Sequence, residues 1–337
     1  MNATLYKKKG DVVQCTACSQ RCTIHPGKTG ICAVRQNTAG ALHLLVYGKA
    51  VGLNVDPIEK KPLYHFLPGT TALSFGTVGC NFRCSFCQNW DMSQASKEGA
   101  YYGTDAPPET IVRLARTTNC ASIAYTYNEP AIFIEYAHDT AKLAHEHGIK
   151  NVFVSNGYET AEAFAFIEPY LDAINVDLKS FRDAFYRTHC GARLKPVLDT
   201  IKRVAKSKVW LEVTTLIIPG ENDSDEELTQ IAQFVANLNP EIPWHISRFF
   251  PHYKLHKPST PLTTLERAYR IGKEAGLEYI YVGNAPAENN TQCPHCNATL
   301  ITRTTQHLFS SHASSVTSTI EKGRCPQCKH VIPGIWT

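Results

Sequence analysis

Seven short runs along the middle of the chain are nearly continuous in apolar and β-branched residues. They are TALSFGTV (71–78), ASIAYTY (121–127), NVFVSNG (151–157), AINVDLKS (173–180), VWLEVTTLIIPG (209–220), PWHISRFF (243–250) and EYIYVGN (278–284). Runs of this length without polar alternation predict strands covered on both faces, as in a parallel sheet. The segments between them read as helices. EPAIFIEYAHDTAKLAHEHG (129–148) predicts one, with Pro130 near its start and Gly148 at its end. Ser224-Asp225-Glu226-Glu227 reads as a capping box, and Leu228, Ile231, Val235 and Leu238 mark one face of the helix it opens. Thr263 with Glu266 repeats the capping pattern, and Gly276 closes that helix.

This rhythm predicts an α/β domain over residues 67–287, built of βα repeats as a barrel or an open barrel-like sheet. In such folds the chemistry sits at the C-terminal ends of the strands. The flanks break the rhythm. Residues 1–66 carry Cys15, Cys18, Cys22 and Cys32, and residues 288–337 carry Cys293, Cys296, Cys325 and Cys328. The Ser/Thr-rich stretch SSHASSVTSTI (310–320) reads as a loop or hairpin within the last group.

Composition changes the picture in one respect. The 337 residues, 43% hydrophobic and 19% charged, suit one large domain with small appendages. A net charge of +4 permits an acidic or nucleic-acid partner without demanding one. The start, MNATLYKKKGDVVQ, has no apolar stretch, and no run of about 18 apolar residues occurs, so no signal peptide and no membrane span are expected. The expectation is a cytoplasmic protein, where thiols stay reduced. Thirteen cysteines then argue for metal, since eleven fall into three tight groups. The other two, Cys120 and Cys190, read as small core residues.

The central group lies in GCNFRCSFCQNW (79–90), which spaces Cys80, Cys84 and Cys87 as C-x3-C-x2-C directly after the first strand. A closed zinc site or an ordinary [4Fe–4S] cluster takes four thiolates. Three thiolates hold three irons of such a cluster and leave the fourth open to a small molecule. The pattern resembles the signature of radical S-adenosylmethionine (SAM) enzymes. That resemblance implies a partial (β/α)6 TIM-like barrel, a [4Fe–4S] cluster on Cys80, Cys84 and Cys87, and SAM chelated at the open iron. It also implies reductive cleavage of SAM to methionine and a 5′-deoxyadenosyl radical that abstracts hydrogen.

Further positions follow from the same resemblance. TYNEP (126–130) stands where the family has a Gly-Gly-Glu-like element that holds the amino group of SAM. Glu129 matches the acid, while Tyr127 and Asn128 replace both glycines; the other reading of Glu129 is an acid that only caps the next helix. Asn156 follows the third strand. Asp177-Leu178-Lys179 ends the fourth and is similar to a SAM-contacting element of pyruvate-formate-lyase-activating enzymes; the other reading is an exposed ion pair. Phe86 and Gln88 flank the last cluster cysteine, where main-chain groups of that family reach the adenine.

A closer resemblance spans most of the chain: CTACSQRCTIHPGKTGICAVR, GCNFRCSFCQNW, YTYNEP, VDLKSFRDAFYRTHCG, WLEVTTLIIPGEND, YVGNAP and a terminal CPHC…CPQC…IPGIW. Together these blocks resemble the radical SAM member of the AmmeMemoRadiSam system, which implies AMMECR-like and Memo-like companion proteins. For the N-terminal quartet, zinc and a second [4Fe–4S] cluster are both open readings, and either metal would help order a segment with few apolar runs. The C-terminal knuckles, 28 residues apart, form a zinc-ribbon or rubredoxin-like pattern with zinc expected, serving either as a docking module or as a structural cap. The expected function is radical attack on a C–H bond of a macromolecule, a protein residue as in the activases, with RNA or a nucleoside as the alternative target. The expected electron donor is flavodoxin- or ferredoxin-like. A scaffold without turnover is the non-enzymatic alternative.

Overall fold

All seven apolar runs form strands, because β-branched and aromatic residues fill a sheet covered on both sides. The structure, a computed structural model, describes residues 1–304 and 315–337. The strands are β1 (Thr71–Gly76), β2 (Ser122–Tyr125), β3 (Lys150–Ser155), β4 (Ala173–Asp177), β5 (Trp210–Ile217), β6 (Trp244–Arg248) and β7 (Ile280–Gly283). They lie side by side in chain order, each parallel to the next. Helices α1 (Pro108–Thr117), α2 (Ile134–Glu146), α3 (Ala161–Ile167), α4 (Leu194–Val204), α5 (Asp225–Leu238) and α6 (Leu262–Glu274) each follow one of the first six strands. The expected six βα units are therefore present, with β7 as an added parallel strand. The sheet stays open: β1 pairs on its outer side with an antiparallel strand, Lys49–Pro57, instead of with β7.

Three helix starts differ from expectation. The helix expected from Pro130 opens with a tight 3-10 turn, Pro130–Phe133, and becomes α-helical at Ile134. At α5 only half of the capping box forms. Ser224 Oγ accepts from Glu227 N at 3.3 Å, but the Glu227 carboxylate turns away to Phe181 N (2.9 Å) and Arg182 Nε (2.6 Å) beyond β4. Helix α6 begins at Leu262, directly after Pro261, so Thr263 already lies in the first turn and caps nothing.

The first 66 residues do not stand apart. Strand Lys49–Pro57 belongs to the main sheet, and Val13, Ile24, Val34 and Leu42 sit in one continuous core with the barrel strands. That shared core resolves how a segment with few apolar runs folds. Arg35, 1% exposed, donates from Nε to Ile132 O at 2.9 Å and pairs with the buried carboxylate of Glu135 on α2. Residues 291–337 behave differently. Strands Thr291–Gln292, Thr299–Thr304 and Ser315–Ser318 form a small antiparallel sheet over its own core of Leu300, Ile301 and Ile332. The expected hairpin is thus formed by 315–318 against 301–304, while 310–314 lies outside the described residues. This ribbon docks on the segment that leads into β1: Leu67 N donates to Ile335 O at 2.7 Å and Arg303 Nη2 to Tyr64 O at 2.7 Å. No helix among the described residues is long and apolar enough to cross a membrane.

Candidate active site

A cavity of about 430 Å³ opens at the C-terminal ends of the strands, within the size range of small-molecule sites. The loop after β1 carries Cys80, Cys84 and Cys87 into its wall. Gly79 makes the entry possible: its φ is +94°, and a Cβ there would stand 2.8 Å from Cys32 O and Val34 Cγ1. The loop is thereby pressed against the N-terminal segment. Phe82 N donates to Cys80 Sγ at 3.4 Å, and Ser93 Oγ lies 3.4 Å from Cys87 Sγ. Burial raises the pKa of the Cys80 and Cys87 thiols, and at Cys84 a hydrogen bond with Cys190, followed by burial, acts in the same sense. Thiols so placed become thiolates when a positive metal centre holds them.

Among the described residues, the set of three or more candidate ligand atoms that all approach within 4.8 Å belongs to the C-terminal ribbon. The three core thiols share one cavity wall, which suits a cluster in which each thiolate binds a different iron.

The residues expected to meet SAM divide. Phe86, Gln88, Asn128, Asn156, Asp177 and Lys179 all line the cavity. Asn128 Nδ2 donates to Thr77 O (2.8 Å), Thr77 Oγ1 (3.1 Å) and Gly79 O (2.8 Å), which fixes the amide's orientation. Its Oδ1 is buried with no partner in the protein. An orphaned acceptor is costly unless something donates to it, so this atom, together with the three thiols, fits a ligand that carries an amino group. Asp177 and Lys179 pair at 2.7 Å in the cavity wall, with the Lys179 side chain only 14% exposed, so the pair is no surface ornament.

Glu129 is the correction. It is fully buried and does not line the cavity. Its carboxylate accepts from Asn156 N (2.7 Å), Ala131 N (3.0 Å) and Ser155 Oγ (3.1 Å), so it caps the 3-10 turn and ties β2 to β3. The physical reason lies in the backbone. Tyr127 sits at φ +72°, a left-handed conformation that glycine adopts freely and that costs another residue roughly 1–2 kcal/mol. That kink presents Asn128 to the cavity. Tyr127 is held in place by its hydroxyl on Asp56 Oδ2 (3.0 Å) and by Gly52, where a Cβ would come within 2.9 Å of the ring.

Sequence reasoning missed several neighbours. Lys97 donates to Phe82 O at 2.6 Å; burial lowers its pKa, while the nearby Cys80 and Cys32 sulfurs act in the opposite sense. Lys61 lines the cavity and pairs with Asp56 at 2.6 Å. Cys190, expected as a plain core residue, is buried but sits against Cys84, and its carbonyl accepts from Arg83 N at 2.9 Å. Nothing in its local spacing signals this, because the contact crosses more than a hundred residues. Cys120 is a small buried residue as expected.

The outer thiols also gather. In the ribbon, Cys293 and Cys328 lie 3.5 Å apart and Cys296 and Cys325 lie 3.6 Å apart. At the other end, Cys15, Cys18, Cys22 and Cys32 face one small cavity beside Arg35.

Three thiols on the loop after the first strand of an open parallel α/β sheet, facing a polar cavity at the strand ends, define the class: a βα-repeat protein built for cofactor chemistry. The family model described as the Radical SAM superfamily matches residues 75–234. An uncharacterized protein of Methanocaldococcus jannaschii is 43% identical over 331 residues, covering 97% of both chains. The pyruvate formate-lyase-activating enzyme of Clostridium pasteurianum is 25% identical over 202 residues, covering 56% of this chain and 81% of its own. In fold, the structure of Streptococcus suis SuiB bound to S-adenosylmethionine is similar, with a TM-score of 0.52 at 13% identity, covering 68% of this chain and 53% of that one. The chain belongs to the radical SAM superfamily, whose members are enzymes, and has homology to pyruvate formate-lyase-activating enzymes. Membership implies a [4Fe–4S] cluster and SAM as cofactors.

Proposed function

We propose that this enzyme acts on a protein residue, as an activase-like member of its superfamily. When bound at Cys80, Cys84 and Cys87, the cluster supplies one electron that cleaves SAM, and the 5′-deoxyadenosyl radical takes a hydrogen atom from the substrate. The observation that carries the reading is the cavity itself: the thiols of Cys80, Cys84 and Cys87 share it with Asn128, whose Oδ1 has no partner in the protein. Asn128 Oδ1 accepts from the amino group of SAM, the role first expected of Glu129. Asn156 and the Asp177–Lys179 pair complete the polar wall, and Phe86 and Gln88 line it beside Cys87. Glu129 holds β2 to β3 behind them.

Homology to an activating enzyme supports a protein target. The order of the seven sequence blocks supports a place in the AmmeMemoRadiSam system, with AMMECR-like and Memo-like companions; the paired C-x2-C knuckles support zinc in the C-terminal ribbon, and we propose a cytoplasmic setting and a low-potential flavodoxin- or ferredoxin-like donor.

The test is anaerobic reconstitution with SAM and reductant, in the presence of each companion or of RNA. Expected are 5′-deoxyadenosine release and a mass change on a protein component. A mass change on RNA alone would overturn the protein reading, and absence of deoxyadenosine would overturn the chemistry. Asn128→Ala should weaken SAM by about ten-fold or more, the loss of one hydrogen bond to a charged group. Glu129→Gln should lower the melting temperature and leave SAM affinity within about two-fold, since Glu129 is spent on Asn156 N and Ala131 N and is not among the residues that line the cavity.

A further inference from the structure

Cys15, Cys18, Cys22 and Cys32 line one cavity of about 10 Å³. That is room for one water-sized atom. A single ion fits such a space, and a polynuclear cluster does not. Apart from Arg35, the rest of the wall is apolar, with Ala17, Ile24, Ile31 and Ala131 among its residues. An apolar wall gives water too few partners to hold it there. Four thiolates suit a soft ion instead. Cys15, Cys18 and Cys32 are at most 7% exposed, so any ion they hold is shut away from solvent.

The backbone around these sulfurs is a second, independent observation. Ile31 N donates to Cys22 Sγ at 3.5 Å. The N–H of Gln20 bonds the sulfur of Cys18, and that of Val34 the sulfur of Cys32, each two residues on from its cysteine. The ribbon uses the same device, with Ala298 for Cys296 and His330 for Cys328. An N–H aimed at a sulfur favours the thiolate, which is the form that binds metal. Arg35 lines the same cavity, where four thiolates on a divalent ion leave a negative excess. The ribbon quartet is recognised by sulfurs within 4.8 Å of one another; the N-terminal one is recognised by the small space it shares and by these N–H donors.

Location says what such an ion would do. Cys32 O accepts from Ser96 Oγ at 3.0 Å and presses on Gly79, the residue before Cys80. Gln20 Nε2, between two of the N-terminal thiols in sequence, donates to Asn81 O (3.0 Å) and Gly191 O (3.1 Å). The segment at 18–22 and the segment at 30–34 are thus the two that touch the loop carrying the core thiols.

We propose that Cys15, Cys18, Cys22 and Cys32 hold one zinc ion, in a closed four-thiolate site that braces the loop of Cys80, Cys84 and Cys87. Zinc suits a closed structural site, which calls for neither an open position nor a change of charge. The ion ties 18–22 to 30–34 and takes no part in SAM cleavage. The site rests on residues 15–35 and not on the chemistry proposed for the core.

The experiment uses the full chain purified anaerobically, with zinc, iron and labile sulfide counted. Wild type should hold about two zincs per chain, one in each outer quartet. Cys18→Ser with Cys22→Ser should hold about one, and so should Cys293→Ser with Cys296→Ser. If the N-terminal variant fails to fold, the ribbon variant decides: a zinc left on it supports the site, and none overturns it. Iron and sulfide kept by the triple variant Cys80→Ala, Cys84→Ala, Cys87→Ala would place a cluster in the N-terminal quartet and overturn the single ion. Two zincs and no iron in wild type would sink the core reading and leave this one standing. The brace predicts faster hydrogen exchange at 77–84 in the N-terminal variant and wild-type rates there in the ribbon variant. Wild-type exchange at 77–84 in the N-terminal variant would overturn the brace.

Discussion

At the ribbon end, four sulfurs within 4.8 Å of one another close over a small core of Leu300, Ile301 and Ile332. At the N-terminal end, four thiols face one small cavity, and Val13, Ile24 and Val34 share the core of the main sheet. The ribbon has few apolar side chains of its own, so a metal held by its four thiols would do part of the work of a core, and it rests on residues 64–67, ahead of β1. That position favours the structural-cap reading over docking at the cavity. The N-terminal segment cannot be lifted off in the same way, since one of its strands belongs to the main sheet. Equal ligand counts therefore do not make equal sites; what surrounds the thiols decides how metal loss is felt.

Each end is anchored by a buried arginine, and this gives the sharpest way to break the comparison. Arg35→Ala leaves Glu135 buried and unpaired and should cost about 3–5 kcal/mol, read as a lower unfolding midpoint for the whole chain in urea. Arg303 donates to Tyr64 O (2.7 Å) and Asn289 O (2.9 Å), and its loss should cost about 1–3 kcal/mol. Limited proteolysis of Arg303→Ala should cut within 288–337 while the barrel remains intact. If both variants unfold the chain equally, the two ends are not differently built.

A smaller effect is expected at Gly79→Ala. A left-handed backbone and a 2.7 Å approach to Ser96 Oγ oppose the new methyl, at about 1–3 kcal/mol. Faster hydrogen exchange should appear in residues 30–35 and 77–84 together, and not in the ribbon. Exchange confined to 77–84 would show that the N-terminal quartet is not braced by the core loop.

The smallest effect is a difference of sign with pH. Near the N-terminal thiols, Cys18 bridges to Glu159, which shares Ser155 with Glu129. Burial and then the charge of Glu159 push Glu129 up to about 8 from 4.5. The folded state keeps a proton that the unfolded chain has lost, so this contribution is full below pH 4.5 and is lost as pH rises toward about 8. At the ribbon end, His65 lies 2.7 Å from both Pro333 O and Tyr281 OH, and burial holds its ring down to about 4 from 6.5. The folded ring stays neutral where the unfolded one takes a proton, so this contribution is full above pH 6.5 and is lost as pH falls toward about 4. Glu212 beside it, pushed up by burial but lowered overall by its hydrogen bond with His245, acts with the same sign. Hydrogen exchange at residues 158–160 should speed up on raising the pH once corrected for intrinsic rates, and at 64–67 on lowering it. Glu159→Gln should flatten the first response. Parallel responses at both ends would refute the assignment.

Much of this was legible because strand ends are local features. A buried run marks its own end, and Asn128, Asn156, Asp177 and Lys179 stand at such ends and do line the cavity. Glu129 was misassigned because it lies beyond the end of β2, where the left-handed turn at Tyr127 leaves Asn128 as the last residue of TYNEP to line the cavity. Cys190 and Lys97 were invisible, since their partners come from distant parts of the chain.

The sequence by itself determined the βα rhythm, the three groups of thiols and the open-iron spacing of Cys80, Cys84 and Cys87, because propensity and ligand spacing act over a few residues. Only the tertiary structure decided that Asn128 and not Glu129 lines the cavity, that the ribbon thiols close within 4.8 Å of one another, and that the N-terminal quartet lies against the core loop. Those outcomes depend on packing between segments far apart in the chain, where the fit of whole surfaces outweighs any local preference.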